Sequence, residues 1–207
     1  MIVAGLTGGI ASGKSTILKH IKKLKIPVHD SDGVVSLLYK KPTQKFLTEL
    51  FKQKLLDVKP IKKINKKEIR KRVLKDAKKL KALEIITHKH VSKERGEFLK
   101  KNKKLKKRIV FLDIPLLFEN KLNSICDVVI LVFCPLKTRL RRALNRKNMD
   151  KKTFYKIVKL QMPEKTKRAK SDYVINTQKP KKECYNKIEN IIEALLAKWE
   201  RLLLIQK

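Results

Sequence analysis

Gly8 to Ser15 read Gly-Gly-Ile-Ala-Ser-Gly-Lys-Ser and fit the phosphate-loop pattern G-x-x-x-x-G-K-[ST] at every fixed position. The motif constrains the fold because each part has a physical task. Glycines let the backbone bend tightly and bring its N–H groups against phosphate oxygens. Lys14 reaches the β- and γ-phosphates as a point charge, and Ser15 offers a hydroxyl to Mg²⁺. A helix starting near Lys14 points its positive end at the anion. The context is the required one: Ile2-Val3-Ala4 is a short apolar run that suits a buried parallel strand, and Ile17, Leu18, Ile21 and Leu24 recur at helical spacing after the loop. Ala11 stands where many such loops carry another glycine. It is harmless there at negative φ and damaging at positive φ.

Apolar runs alternate with amphipathic segments along the rest of the chain. Strands are expected at Ile2–Leu6, Pro27–His29, Arg108–Asp113, Asp127–Phe133 and Tyr173–Asn176. Alternation of this kind implies an α/β fold, a parallel five-stranded sheet covered by helices on both faces in three layers. The gap of about 75 residues between the second and third strands is too long for a simple crossover. Phe46–Lys54, Lys66–Lys75 and Ala77–Lys104 have helical character there, so a helical insertion is expected over about 37–106. A second charged helical stretch, about 139–170, is expected to form a lid over the nucleotide. Core segments of about 1–36, 107–138 and 171–207 complete one phosphate-loop domain of 207 residues. Lys181–Gln206 reads as a C-terminal helix whose apolar positions, Trp199 included, are packing residues.

The formal charge is +35, from 54 basic and 19 acidic residues. Lysines are spread through nearly every helix rather than gathered into a tract, and aromatics are only 6%, so stacking platforms are scarce. A solvated basic surface is favoured over a nucleic-acid interface, with nucleic-acid contact limited to weak non-specific attraction. The field still speeds encounter with polyanionic substrates. No apolar stretch is long enough to span a bilayer, the amino terminus lacks a signal-peptide pattern, and three cysteines at no metal or redox spacing fit a reducing compartment. A cytoplasmic protein is the expectation.

The loop shows nucleotide handling without naming a reaction. Asp30-Ser31-Asp32 follow the second strand, and in open parallel sheets ligands gather at the carboxyl ends of strands. Asp32 there is either a general base for an acceptor hydroxyl or the N-cap of the helix that begins with Gly33-Val34-Val35. Asp113 ends the third strand, where such enzymes hold the metal or its water. Arg139, Arg141, Arg142 and Arg146 crowd the start of the lid segment. Arg142 and Arg146, four apart, share a helix face and can clamp phosphates. The four histidines form no ligand constellation; His88 and His90, two apart, face different ways on a helix.

Taken together these segments resemble the dephospho-coenzyme A kinase family. Gly5 to Thr16 match the family's start and Asp30-Ser31-Asp32 its Asp-Ala-Asp element. Leu83-Glu84-Ile85-Ile86-Thr87-His88 resembles its Leu-Glu…His-Pro segment. Ile114-Pro115-Leu116-Leu117-Phe118-Glu119 matches its Pro-Leu-Leu-Phe-Glu loop, the most discriminating piece. Arg142, Arg146, Gln161 and Ser171–Ile175 follow its C-terminal half in order, so the likeness runs to about residue 177. The resemblance implies transfer of the ATP γ-phosphoryl, with Mg²⁺, to the ribose 3′-hydroxyl of dephospho-coenzyme A, the last step of coenzyme A synthesis. It places ATP on Gly9, Ile10, Ala11, Ser12, Gly13, Lys14, Ser15 and Thr16, with Ser15 on the metal. It assigns catalysis to Asp32 as base, Lys14 and Arg142, and acceptor contacts to Asp32, His88, Pro115, Leu116, Leu117, Phe118 and Glu119. A monomer or small homo-oligomer is expected. Ala11 for Gly, Lys89 for Pro, Arg139 for Gln and Thr177 for Asn depart from the family pattern, and no adenine contact is placed at Thr177.

Overall fold

The computed structural model describes residues 1–56, 64–147 and 149–205. Gln206, the expected last residue of the C-terminal helix, lies outside them, as do residues 57–63 of the expected insertion. The described chain divides into two compact units, residues 1–29 with 102–207 and residues 30–101.

The first unit is built on a five-stranded sheet of order β2-β3-β1-β4-β5: β1 Ile2–Thr7, β2 Val28–Asp30, β3 Ile109–Asp113, β4 Val128–Phe133 and β5 Tyr173–Asn176. β3, β1, β4 and β5 run parallel. Strands buried on both faces read as continuous apolar runs, and β3 is buried at every residue. Alternate positions (Ile2, Ala4 and Leu6; Ile109 and Phe111; Val128, Ile130 and Val132) share one core with Ile17, Leu18 and Ile21 of α1 (Lys14–Lys23). Ile188, Ile191, Ile192 and Leu195 of the C-terminal helix (α9, Lys181–Ile205) close that core, with Trp199 packed at its edge. Burying each such aliphatic side chain contributes roughly 1.5–3 kcal/mol. The expected bounds hold to within a residue or two.

The register decides where the chemistry gathers. Leu6 of β1 pairs with Asp113 of β3, and Thr7 with Leu131 of β4. The phosphate loop therefore leaves the middle strand level with Asp113. Beyond β4 the chain forms α6 (Leu136–Leu144), α7 (Lys151–Lys159) and the six-residue α8 (Glu164–Ala169) before entering β5. Arg146 lies past the end of α6, so the helix face that its spacing from Arg142 predicts is not formed. Its N–H instead closes a turn onto the Ala143 carbonyl at 2.9 Å.

The second unit carries α2 (Ser31–Lys40), α3 (Gln44–Lys52), α4 (Lys66–Leu74) and most of α5 (Ala77–Lys104). Its core joins Leu38, Phe46, Leu50, Ile69 and Ile86. Its helix starts are capped in sequence-readable fashion: Thr43 Oγ1 accepts from Phe46 N–H, Asn65 Oδ1 from Lys67 N–H and Asp76 Oδ1 from Lys78 N–H. Lys89, the departure from the family's proline, pairs with Glu49 at 2.7 Å, and the same carboxylate meets His90 at 2.8 Å. The Lys89 hydrogen bond, ahead of that from His90, holds the Glu49 carboxyl below the usual glutamate range against the upward push of burial.

Candidate active site

The loop between β1 and α1 forms a tight cradle. Ser12 N–H donates to the Gly9 carbonyl at 3.1 Å, and Gly13 sits left-handed at φ 92° as the N-cap of α1. No side chain caps α1 and no acidic residue lies in its first turn. The amides at its start are thus taken by no capping side chain and suit an anion. A Cβ at Gly9 would meet the Arg139 guanidinium, itself buried and paired with Glu164 at 3.3 Å, so that side chain would have to shift. Ala11 adopts φ 57°, the unfavourable case, which costs a non-glycine residue about 1–2 kcal/mol. Its methyl packs with Ala143 and Phe154, which offsets part of that strain.

Lys14 reaches across the loop to the Asp113 carboxylate, with which it forms an ion pair. Ser15 is exposed at the helix start. An exposed hydroxyl and a strand-end carboxylate flanking one lysine are oxygen donors of the kind Mg²⁺ takes alongside phosphates, so the donor set fits that ion.

The Pro115–Glu119 loop is fixed beside the cradle. Ile114 N–H donates to the Leu6 carbonyl at 3.1 Å, and the Thr7 hydroxyl to the Pro115 carbonyl at 3.1 Å. Leu117 and Phe118 are buried and pack inward, whereas Leu116 is exposed and Pro115 half-exposed. Any contact that Leu117 and Phe118 make with an acceptor runs through the loop's shape rather than their side chains. Glu119 turns toward α8 and the residues before it, where its Oε1 accepts from Met162 N–H at 2.8 Å and pairs with Lys167 Nζ at 2.8 Å. Burial pushes its carboxyl up, but the Lys167 and Met162 bonds outweigh that and hold it below the usual range.

Neither Lys167 nor Glu164 is singled out by the sequence. Long-range pairing with a buried carboxylate leaves no local pattern. Gln161 Oε1 accepts the Ile10 N–H at 3.1 Å, so that amide, expected on ATP, is already committed to the chain between α7 and α8. A cavity of about 300 Å³ opens beside Arg139, Gln161, Met162 and Glu164. Arg142 donates from Nη1 to Thr177 Oγ1 at 3.0 Å and from Nη2 to the Thr177 carbonyl at 2.7 Å.

In the second unit Asp32 is exposed in the first turn of α2. The cap of that helix is Asp30, whose Oδ1 accepts the Gly33 N–H at 2.8 Å, which removes the N-cap reading of Asp32. Extended dihedrals at Asp30 (φ −100°, ψ 99°) give it the cap position. His88 is exposed on α5 while His90 is buried, as their spacing requires. Among the described residues no helix is long and apolar enough to cross a membrane.

Comparison with known proteins identifies the family. A model of the dephospho-CoA kinase family matches residues 1–183. The dephospho-CoA kinase of Bartonella quintana is 37% identical over 196 residues, covering 95% of this chain and 99% of that protein. That of Fusobacterium nucleatum is 32% identical, covering 94% and 99%. Among solved structures, TT1252 from Thermus thermophilus superposes with a TM-score of 0.74 at 27% identity, covering 95% of this chain and 97% of that one. A dephospho-CoA kinase from Campylobacter jejuni, at 23% identity and covering 93% and 98%, gives 0.68 and supports the fold alone. With a phosphate loop in the required strand–helix setting and a family match over most of its length, the chain belongs to the dephospho-CoA kinase family, whose members transfer phosphate from ATP.

Proposed function

We propose that this chain transfers the γ-phosphoryl of ATP to the ribose 3′-hydroxyl of dephospho-coenzyme A. The observation that carries the reading is the cradle at the carboxyl end of β1. The start of α1 carries no side-chain cap there and Lys14 pairs with Asp113 beside it, in a chain matched to this family over residues 1–183.

The amides from Ala11 to Thr16 grip the triphosphate, and Lys14 exchanges the Asp113 carboxylate for the β- and γ-phosphates. Ser15 and Asp113 would hold Mg²⁺, which neutralises phosphate charge when bound. Asp32, freed of capping by Asp30, accepts the proton of the 3′-hydroxyl. That oxygen then bonds to the γ-phosphorus as the bond to the bridging oxygen breaks, and ADP leaves. Arg142 offsets charge developing on the transferred group. Pro115 and Leu116, with Leu117, Phe118 and Glu119 shaping their loop, contact the acceptor together with His88. The chain acts as one kinase domain in the cytoplasm, as a monomer or small homo-oligomer. It has a core of about 1–36, 107–138 and 171–207, an insertion of about 37–106 and a lid of about 139–170.

An acceptor panel with MgATP tests the reading. Dephospho-coenzyme A is expected to be phosphorylated well ahead of AMP and shikimate. Preference for either alternative overturns the assignment.

A further inference from the structure

We propose that the Thr177 hydroxyl is a positioning group for the triphosphate. It aims the Ser12–Gly13 peptide of the phosphate loop and ties that peptide to Arg142. The inference rests on the kinase reading above and adds to it a residue just past β5.

Thr177 is buried, and its own N–H donates to the Phe133 carbonyl at 2.9 Å. That bond extends the β4–β5 ladder by one residue and sets Thr177 against the loop. Its Oγ1 lies 2.5 Å from the Ser12 carbonyl, 3.0 Å from Arg142 Nη1 and 3.3 Å from the Phe133 carbonyl. A guanidinium can only donate, so Oγ1 accepts from Arg142. The single hydroxyl proton then goes to Ser12, the nearer carbonyl. In a trans peptide the C=O and the following N–H point in opposite directions. A Ser12 carbonyl held by Thr177 therefore turns the Gly13 N–H to the other side of the loop, to join the amides that open α1. The same side chain fills the space beside Gly13, where a Cβ would meet Thr177 atoms at 3.0–3.2 Å. Thr177 thus supports the one left-handed glycine on which the cradle turns.

The test compares full-length wild type with Thr177→Val, Thr177→Ala and Thr177→Ser by calorimetric titration with MgATP, inorganic triphosphate and adenosine. Val and Ala are expected to weaken MgATP and triphosphate by roughly tenfold each, the scale of a lost hydrogen bond with a charged partner, and to leave adenosine unchanged. Ser is expected to stay within about twofold of wild type. Wild-type triphosphate binding in Val and Ala overturns the proposal. So does equal weakening of adenosine and triphosphate, or a Ser variant as weak as Ala, because each assigns Thr177 to packing. Should Val fail to fold, the Ala and Ser pair decides. These titrations contain no acceptor, so failure to phosphorylate dephospho-coenzyme A removes the acceptor assignment without moving them.

Discussion

Lys14 and Asp113 meet at the carboxyl ends of β1 and β3, the ammonium bound to Oδ1, with side chains only 13% and 5% exposed. The β1–β3 register, which sets Asp113 opposite Leu6, makes the meeting possible. A lysine this shielded needs a counter-charge, and a triphosphate supplies a second one.

Removing either side of that pair therefore has different outcomes. Asp113→Asn is expected to destabilise the nucleotide-free protein by about 3 kcal/mol, with saturating ATP restoring part of the loss. Denaturant unfolding with and without ATP measures both. Lys14→Ala is expected to fold but to lose roughly 10³-fold in turnover. Unchanged stability in Asp113→Asn contradicts the pairing.

Glu119 gives the acid limb of stability a specific origin. Its folded carboxyl releases a proton more readily than the unfolded one. Its contribution is thus fully present above the unfolded value and is lost as pH falls through the folded value, below the usual glutamate range. Glu119→Gln is expected to cost about 3 kcal/mol at neutral pH, because Lys167 is left buried without its partner, and to flatten the acid limb. Parallel stability–pH curves for variant and wild type are the contrary result.

Ala11 stores strain that can be released. Ala11→Gly removes about 1–2 kcal/mol of left-handed penalty and forfeits about 0.8 kcal/mol of methyl burial, so stability is expected to rise by up to about 1 kcal/mol. A fall of that size in calorimetric unfolding refutes the balance.

Asp30 and Asp32 separate by role. Asp30→Ala is expected to cost about 1 kcal/mol of stability through the lost cap. Asp32→Asn is expected to leave stability and ATP affinity near wild type and to cut turnover strongly. Equal losses of ATP affinity and turnover in Asp32→Asn assign it to metal binding or structure instead.

Local signals in the sequence identify most of the frame. Period and punctuation mark β5 and α5 at their observed bounds, and the loop motif with its flanks places the start of α1 at Lys14. What stays hidden depends on distance or on a single dihedral. Two aspartates two residues apart compete for one cap, and only the extended backbone at Asp30 decides between them. Arg142 and Arg146 have helical spacing, but α6 ends at Leu144 between them. Glu119 reads as an acceptor contact from its loop, yet a lysine 48 positions away claims it. Thr177 reads as a departure from a family pattern until the Ser12 carbonyl, 165 positions distant, meets its hydroxyl.

The most direct measurement follows the label from ATP carrying a marked γ-phosphate into dephospho-coenzyme A and locates it by phosphorus NMR. Stoichiometric appearance of the label as a 3′-phosphomonoester on the acceptor's ribose is expected. Label released as inorganic phosphate, or found on another oxygen, contradicts it.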